Sequence, residues 1–329
     1  MKNKVKILLA LSIAVSTVIS GCSTKTKQAV AANNTAINSN TSQSSDNENS
    51  NSENNLPNPS ADNTDKNNPT ENIPQQPEKS NTQSDPTPKP AAPVSVSNTA
   101  SLDTKRIGWS WAYSPKSSAS LLSKYHGYAF GDISKKIIYL TFDEGYEYGY
   151  TPSILDTLKA NNVHAAFFVT APYIVGSFNG IKNSDLLKRM TNEGHVIGNH
   201  SVHHKSMPDF TDENAFNTEL TGVEAAAAKV PGVKLSKNFR PPMGDFSELS
   251  LYYTQKLGYK TIFFSLAYKD YDVNNQPDPE KSKEFLLQST KPGMICLLHA
   301  ESKTNASILD SLLKEWKKQG YEFRSLDEL

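Results

Sequence analysis

Ile137-Ile138-Tyr139-Leu140-Thr141-Phe142-Asp143-Glu144-Gly145 is an apolar run that closes on two carboxylates and a glycine. β-Branched and aromatic residues dominate its first six positions, the composition of a strand buried on both faces. Gly145 lets the chain turn tightly just past the strand end. Four later runs have the same form: HVIGNHSVHH from His195, FRPPMG from Phe239, TIFFSLAYKDY from Thr261 and MICLLHAES from Met294. Each carries polar residues at or near its end, respectively His200 and His204, Arg240, Asp270, and His299.

Between these runs the apolar residues recur at helical spacing, in TPSILDTLKANN, NSDLLKRMTNEG, NAFNTELTGVEAAAAKV, SELSLYYTQKLG, KSKEFLLQST and NASILDSLLKEWKKQG. Strand followed by helix, repeated, predicts an α/β fold with a parallel sheet or a (β/α) barrel. About seven parallel strands are expected, near 136–142, 165–170, 195–199, 236–240, 260–266, 294–299 and 321–324. Gly194, Gly258 and Gly320 stand where three of the helices should stop. In a barrel the residues just past the strand ends gather at one mouth, so the five polar ends should share one site.

The preceding hundred residues have a different composition. Met1 to Lys6 is basic, and an apolar core of about 13 residues follows, short of the roughly 18 to 20 needed to span a bilayer. Residues 1–21 thus read as a signal peptide. Ile19-Ser20-Gly21-Cys22 resembles a bacterial lipobox, which implies cleavage before Cys22, lipidation of its thiol and a membrane anchor. Residues 22–100 are rich in Asn, Ser, Thr, Pro and Gln, too poor in large apolar side chains to fold, and read as a tether. Residues 101–329 then suffice for one α/β domain. The expected location is extracytoplasmic, anchored to the membrane and facing the cell wall. With a formal net charge of +0 and no basic cluster, nothing supports nucleic-acid binding. Cys22 and Cys296 are the only cysteines; Cys296, inside MICLLH, reads as a buried structural thiol.

His200 and His204, four apart, can face one metal ion from a helical turn or a tight loop. Histidines at this spacing also occur on solvated helix faces, so the pair alone is weak. His203 between them reads as a bystander. Asp143 and Glu144 could divide two tasks, one ligating a metal and the other taking a proton from water, or form a solvated acidic pair. Arg240, stiffened by Pro241 and Pro242, suits either orientation of a carboxylate or a structural salt bridge. Asp270 and His299 could form a pair in which the carboxylate holds the imidazolium ready as a general acid.

TFDEG, HSVHH, FRPPMG and LLHAES resemble, in this order, the motifs of the polysaccharide deacetylase family with the NodB homology domain, over about residues 105–329. Within it, LTFDEGYEYGYT, FRPPMGDFSE and LLHAESKTNA are similar to the delta-lactam-biosynthetic de-N-acetylases of spore-forming bacteria. The resemblance implies a distorted (β/α) barrel in which Asp143 is the catalytic base, His200, His204 and Glu144 hold a divalent metal, Arg240 positions the base and His299 is the general acid tuned by Asp270. Pro242 and Met243 would border the substrate, with the backbone N–H near Met243 at the oxyanion. Two nitrogens and one carboxylate suit zinc and tolerate other divalent ions.

Glu144 stands where most members have Asp, Met243 where an aromatic is usual, and Asp270-Tyr271 replaces the commoner Asp-Trp. The implied substrate is a peptidoglycan glycan strand, whose muramic acid would lose its acetyl group and close to a lactam in the spore cortex. An amidase that strips the peptide first would be the functional partner. A deacetylase acting on chitin oligomers or intact peptidoglycan, and a wall-binding lipoprotein without catalysis, are the alternatives.

Overall fold

The run that begins at Ile137 forms strand β1 (Ile137–Glu144), buried at every position after the first. The other parallel strands are β2 (Ala166–Val169), β3 (Val196–Asn199), β4 (Leu235–Phe239), β5 (Lys260–Ile262), β6 (Met294–His299) and β7 (Glu322–Phe323). The structure, a computed structural model, describes residues 93–110 and 118–329. The signal peptide, Cys22 and most of the tether read from the sequence lie outside the described residues.

Neighbours in the sheet run β6-β1-β2-β3-β4-β5, a two-residue strand Gly127–Tyr128 pairs with β5, and β7 joins the start of β1; every pairing is parallel. The registers set the site: His299 pairs directly with Asp143, and Asp143 with Phe168. Helices α1 (Thr151–Ala160), α2 (Asn183–Asn192), α3 (Glu213–Ala227), α4 (Glu248–Lys256), α5 (Pro279–Ser289) and α6 (Lys303–Lys318) match the six helical spacings. Asp212, Asp278 and Ser302 each accept the N–H three residues on, capping α3, α5 and α6. Gly194, Gly258 and Gly320 carry φ of 81°, 78° and 83°, the left-handed residues at which helices stop.

The core has two layers. Ile138, Leu140 and Phe142 of β1 join the cluster under α1, α2 and α6 that includes Leu155, Leu187 and Trp316. Tyr139 joins the other cluster, with Phe168, Phe239, Phe263 and Leu297. Alternation along β1 therefore assigns even positions to the helical side and odd positions to the barrel interior.

TIFFSLAYKDY does not form one strand to residue 266. β5 ends at Ile262, and the chain returns to the sheet at Leu266, whose N–H donates to Ile295 O (3.3 Å) while Leu297 N–H donates to Leu266 O (2.9 Å). This bridge closes the barrel between β5 and β6. The intervening carbonyls are occupied by side chains: Arg240 donates to Ile262 O and Phe263 O, and Trp109 Nε1 to Phe264 O (2.8 Å). Carbonyls aimed at these side chains point away from a neighbouring strand, and the ladder is interrupted there. Asp270 consequently lies on a loop, not at a strand end.

The packed chain also begins earlier than residue 101. Val94 and Val96 pack against the interior cluster, Leu102 and Trp109 are buried in it, and Ile107–Gly108 pairs antiparallel with Asp245–Phe246. Val94 and Val96 lie in the stretch, up to residue 100, whose average composition is that of the tether. Trp109→Ala removes a buried indole and its hydrogen bond to the closure segment, so we expect a loss of about 3–5 kcal/mol in denaturant unfolding. A loss below about 1 kcal/mol, the scale of an ordinary surface change, would show that the segment is not docked.

Candidate active site

The strand ends line a cavity of about 750 Å³ whose wall includes Asp143, His200, His204, Arg240, Met243 and His299. At its floor lies Arg240, 1% exposed. Its Nη1 donates to Asp143 Oδ1 (2.7 Å), its Nε to Ile262 O (3.2 Å) and its Nη2 to Phe263 O (3.4 Å), with the guanidinium 4.2 Å from the centre of the Phe168 ring. Its backbone N–H donates to Asn199 O (3.0 Å), which fixes the residue at the end of β3 as well as β4. Burial alone would raise the Asp143 pKa, but Arg240, His200 and His299 outweigh it and hold the carboxyl below its ordinary value.

His200 and His204 come together on a loop, not a helix. Ser201 and His204 have φ of 70° and 52°, and the His204 N–H donates to Ser201 Oγ (3.0 Å), which folds the loop so that the two rings meet edge to face at 4.9 Å. His200 Nδ1 contacts the Arg240 carbonyl at 2.8 Å. A carbonyl only accepts, so Nδ1 carries the proton and Nε2 keeps its lone pair, 3.5 Å from Asp143 Oδ2. Burial depresses His200 to about 4 and lowers His204 too, leaving the imidazoles neutral, the form that binds metals.

Opposite them, His299 Nδ1 meets Asp270 Oδ1 at 2.7 Å. Burial opposes its charged form, yet Asp270 overrides that and pushes His299 up to about 9. Asp270 is fully buried and does not itself line the cavity; its carboxylate acts on it through His299.

Two other residues predicted for the site stand elsewhere. Glu144 does not line the cavity; it occupies an even position of β1 and is buried on the helical side, where its Oε1 accepts from Thr151 Oγ1 at 3.2 Å. The strand runs through Glu144, so alternation continues and the turn at Gly145 comes too late to aim it inward. Burial and the nearby Glu147 raise its pKa well above the ordinary range. Pro242 is buried behind the wall, and Pro241 lines the cavity instead. Met243 does line it, with φ 59°, a strained value for a residue with a side chain. The following Gly244 admits no substitute, because a Cβ there would lie 2.0 Å from Trp109 O. His203 also reaches the wall, held by Glu219 at 2.6 Å. The sequence reading missed Trp109, Tyr146, Tyr268 and Glu301 in the wall. Only Glu301, two residues from His299 in the quoted HAES, carried a signal that could have marked it.

The polysaccharide deacetylase family model matches residues 131–262. The chain is 43% identical to the peptidoglycan-N-acetylmuramic acid deacetylase PdaA of Bacillus subtilis, over 64% of this chain and 77% of that one. It belongs to the polysaccharide deacetylase family. The solved structure of Bacillus subtilis PdaA, a family 4 carbohydrate esterase, superposes with a TM-score of 0.64 at 39% identity, covering 69% of this chain and 98% of that one. A family 4 carbohydrate esterase from Bacillus anthracis gives a TM-score of 0.59 at 42% identity, covering 69% and 97%. These neighbours share the α/β barrel described above.

The family implies a divalent metal, and the donor set accommodates one in part. Among the described residues no three His, Cys, Asp or Glu side chains form a complete ligand cluster. The neutral rings of His200 and His204 supply two nitrogens, and Asp143 Oδ2 is the nearest anionic oxygen to His200 Nε2. Since Glu144 faces the other layer, E144Q should leave divalent-cation affinity unchanged in a zinc titration, whereas His200→Ala should abolish it. Weakened binding in E144Q would restore Glu144 as a ligand.

Proposed function

We propose that the protein hydrolyses the N-acetyl group of muramic acid residues in peptidoglycan. The observation that carries this is the pairing, side by side in one cavity, of a carboxylate held ionised by Arg240 and an imidazolium held protonated by Asp270. Amide hydrolysis needs these two groups together, a base for the water and an acid for the leaving nitrogen. Membership in the deacetylase family and the identity to a muramic acid deacetylase support the substrate class.

Asp143 Oδ2, free of Arg240, takes the proton of the attacking water, while Oδ1 stays pinned at 2.7 Å. The amide carbon gains the water oxygen, its C–N bond breaks, and His299 delivers its proton to the departing amine, so acetate and a sugar amine result. A divalent ion held by His200 and His204, zinc being our first choice, would polarise the acetyl carbonyl and acidify the attacking water. The backbone at Met243 is our candidate for contact with the oxyanion. The lipobox at Cys22 and the polar tether support a lipid-anchored enzyme facing the cell wall. FRPPMGDFSE and LLHAESKTNA support a role in lactam formation in the spore cortex, downstream of an amidase.

Mass spectrometry of glycan strands stripped of peptide tests this reading: the expected product is muramic acid lighter by one acetyl group. Chitin oligomers consumed in preference would overturn it. Asp143→Asn and His299→Ala should each reduce kcat by about 10²- to 10⁴-fold. The acid must be protonated, so kcat should decline as pH rises through about 9, and Asp270→Asn should move that limb to lower pH. A limb that stays in place in Asp270→Asn would separate the pair from the proton transfer.

A further inference from the structure

Asp270 has no strand to hold it, and the N-terminus of α6 takes over. Gln276 Nε2 donates to Asp270 O (2.8 Å) and Asp272 O (2.9 Å), and its Oε1 accepts from Ser302 Oγ (2.6 Å) and Thr304 N–H (3.1 Å). These bonds fix the loop backbone. The carboxylate is gripped separately by Asn305, 1% exposed in the first turn of α6. Asn305 Nδ2 donates to Asp270 Oδ2 (2.6 Å) and to His299 O (2.9 Å), while its Oδ1 accepts from the Tyr268 hydroxyl. His299 N–H adds a second bond to Asp270 Oδ2 at 2.9 Å.

One amide group therefore holds the carboxylate from the loop and the main chain from β6 that carries the imidazole. Two donors on a single planar nitrogen leave little freedom in the separation of the groups they bind. With Oδ2 occupied, only Oδ1 is left for His299 Nδ1. We infer that Asn305 is a positioning residue for the proton-donating pair, and that its amide sets the orientation of the Asp270 carboxylate against His299. Tyr268, through its hydroxyl, orients the amide so that nitrogen and not oxygen faces Asp270. The inference deepens the deacetylase reading and rests on it for its consequence in turnover. Its structural content stands on the hydrogen bonds alone.

The decisive variants are Asn305→Ala, which removes the amide, and Asn305→Asp, which keeps its size but puts an acceptor where the donor stood. Two measurements on the purified protein judge them: steady-state deacetylation of peptide-stripped glycan strands across pH, and the titration of the His299 imidazole followed by NMR. In both variants kcat should fall roughly 10- to 100-fold, the value of a hydrogen bond to a charged group, with KM little changed. In Asn305→Ala the His299 midpoint and the alkaline limb should move down together.

A His299 midpoint unmoved in Asn305→Ala would overturn the inference, as would unchanged kcat in both variants. A fall in kcat with the limb in place would reduce Asn305 to a packing role, which also overturns it. If the wild type released no acetate from any acetylated glycan, the deacetylase reading would fail, while the NMR titration would still decide the role of Asn305.

Discussion

The buried ion pair between Arg240 and Asp143 is the constraint on which the rest of the site depends. A guanidinium 1% exposed has to find acceptors inside the protein, because an unpaired buried charge costs several kcal/mol. It finds them on separate elements: the carboxylate of β1, the carbonyls at the end of β5, and the face of Phe168 on β2. Its own main chain binds Asn199 of β3 and the ring of His200. One side chain thus ties the barrel mouth together, orients the carboxylate and selects the tautomer of the neighbouring imidazole.

That solution has a consequence for the barrel. The carbonyls of Ile262, Phe263 and Phe264 bond to Arg240 and Trp109, so β5 stops after three residues and the sheet resumes only at Leu266. Beyond it the chain loops out, and Asp270 reaches His299 from outside the sheet. The Gln276 and Asn305 side chains then do for this loop what a ladder does for a strand. The N-terminus of α6 suits the task, since its first turn must find partners outside the helix in any case.

Charge is divided in the cavity by partners, not by exposure. Burial disfavours the ionised form of both Asp143 and His299, yet Arg240 keeps the first anionic and Asp270 raises the second to about 9. The two are register partners on adjacent strands, which places them side by side at the mouth. Glu144, one residue from Asp143, shows what burial does without a cation: its pKa rises well above the ordinary range.

Much of this was legible in the sequence because it is local. Apolar runs of strand length, helical spacings and glycines at helix ends depend on near neighbours, and the six helices and the parallel strands expected from those patterns are present, the one expected over 260–266 ending early at Ile262. The polar residues at the ends of the runs were legible for the same reason, as was Cys296, which is buried. The errors arose where a distant contact decides. Whether Glu144 faces inward depends on how far β1 continues, and that is set by pairing with Val169 of β2. Whether Thr261–Tyr271 stays a strand depends on which side chains take its carbonyls. Val94 and Val96 look like tether residues until Ile107–Gly108 pairs with Asp245–Phe246 and brings the segment onto the core. Asn305 looks like an ordinary helix-start residue, and acquires its place only when α6 meets the loop of Asp270. The sequence by itself determined the elements and the chemical groups near their ends; which way those groups face was decided by tertiary structure, because buried polar atoms must be paired across segments distant in the chain.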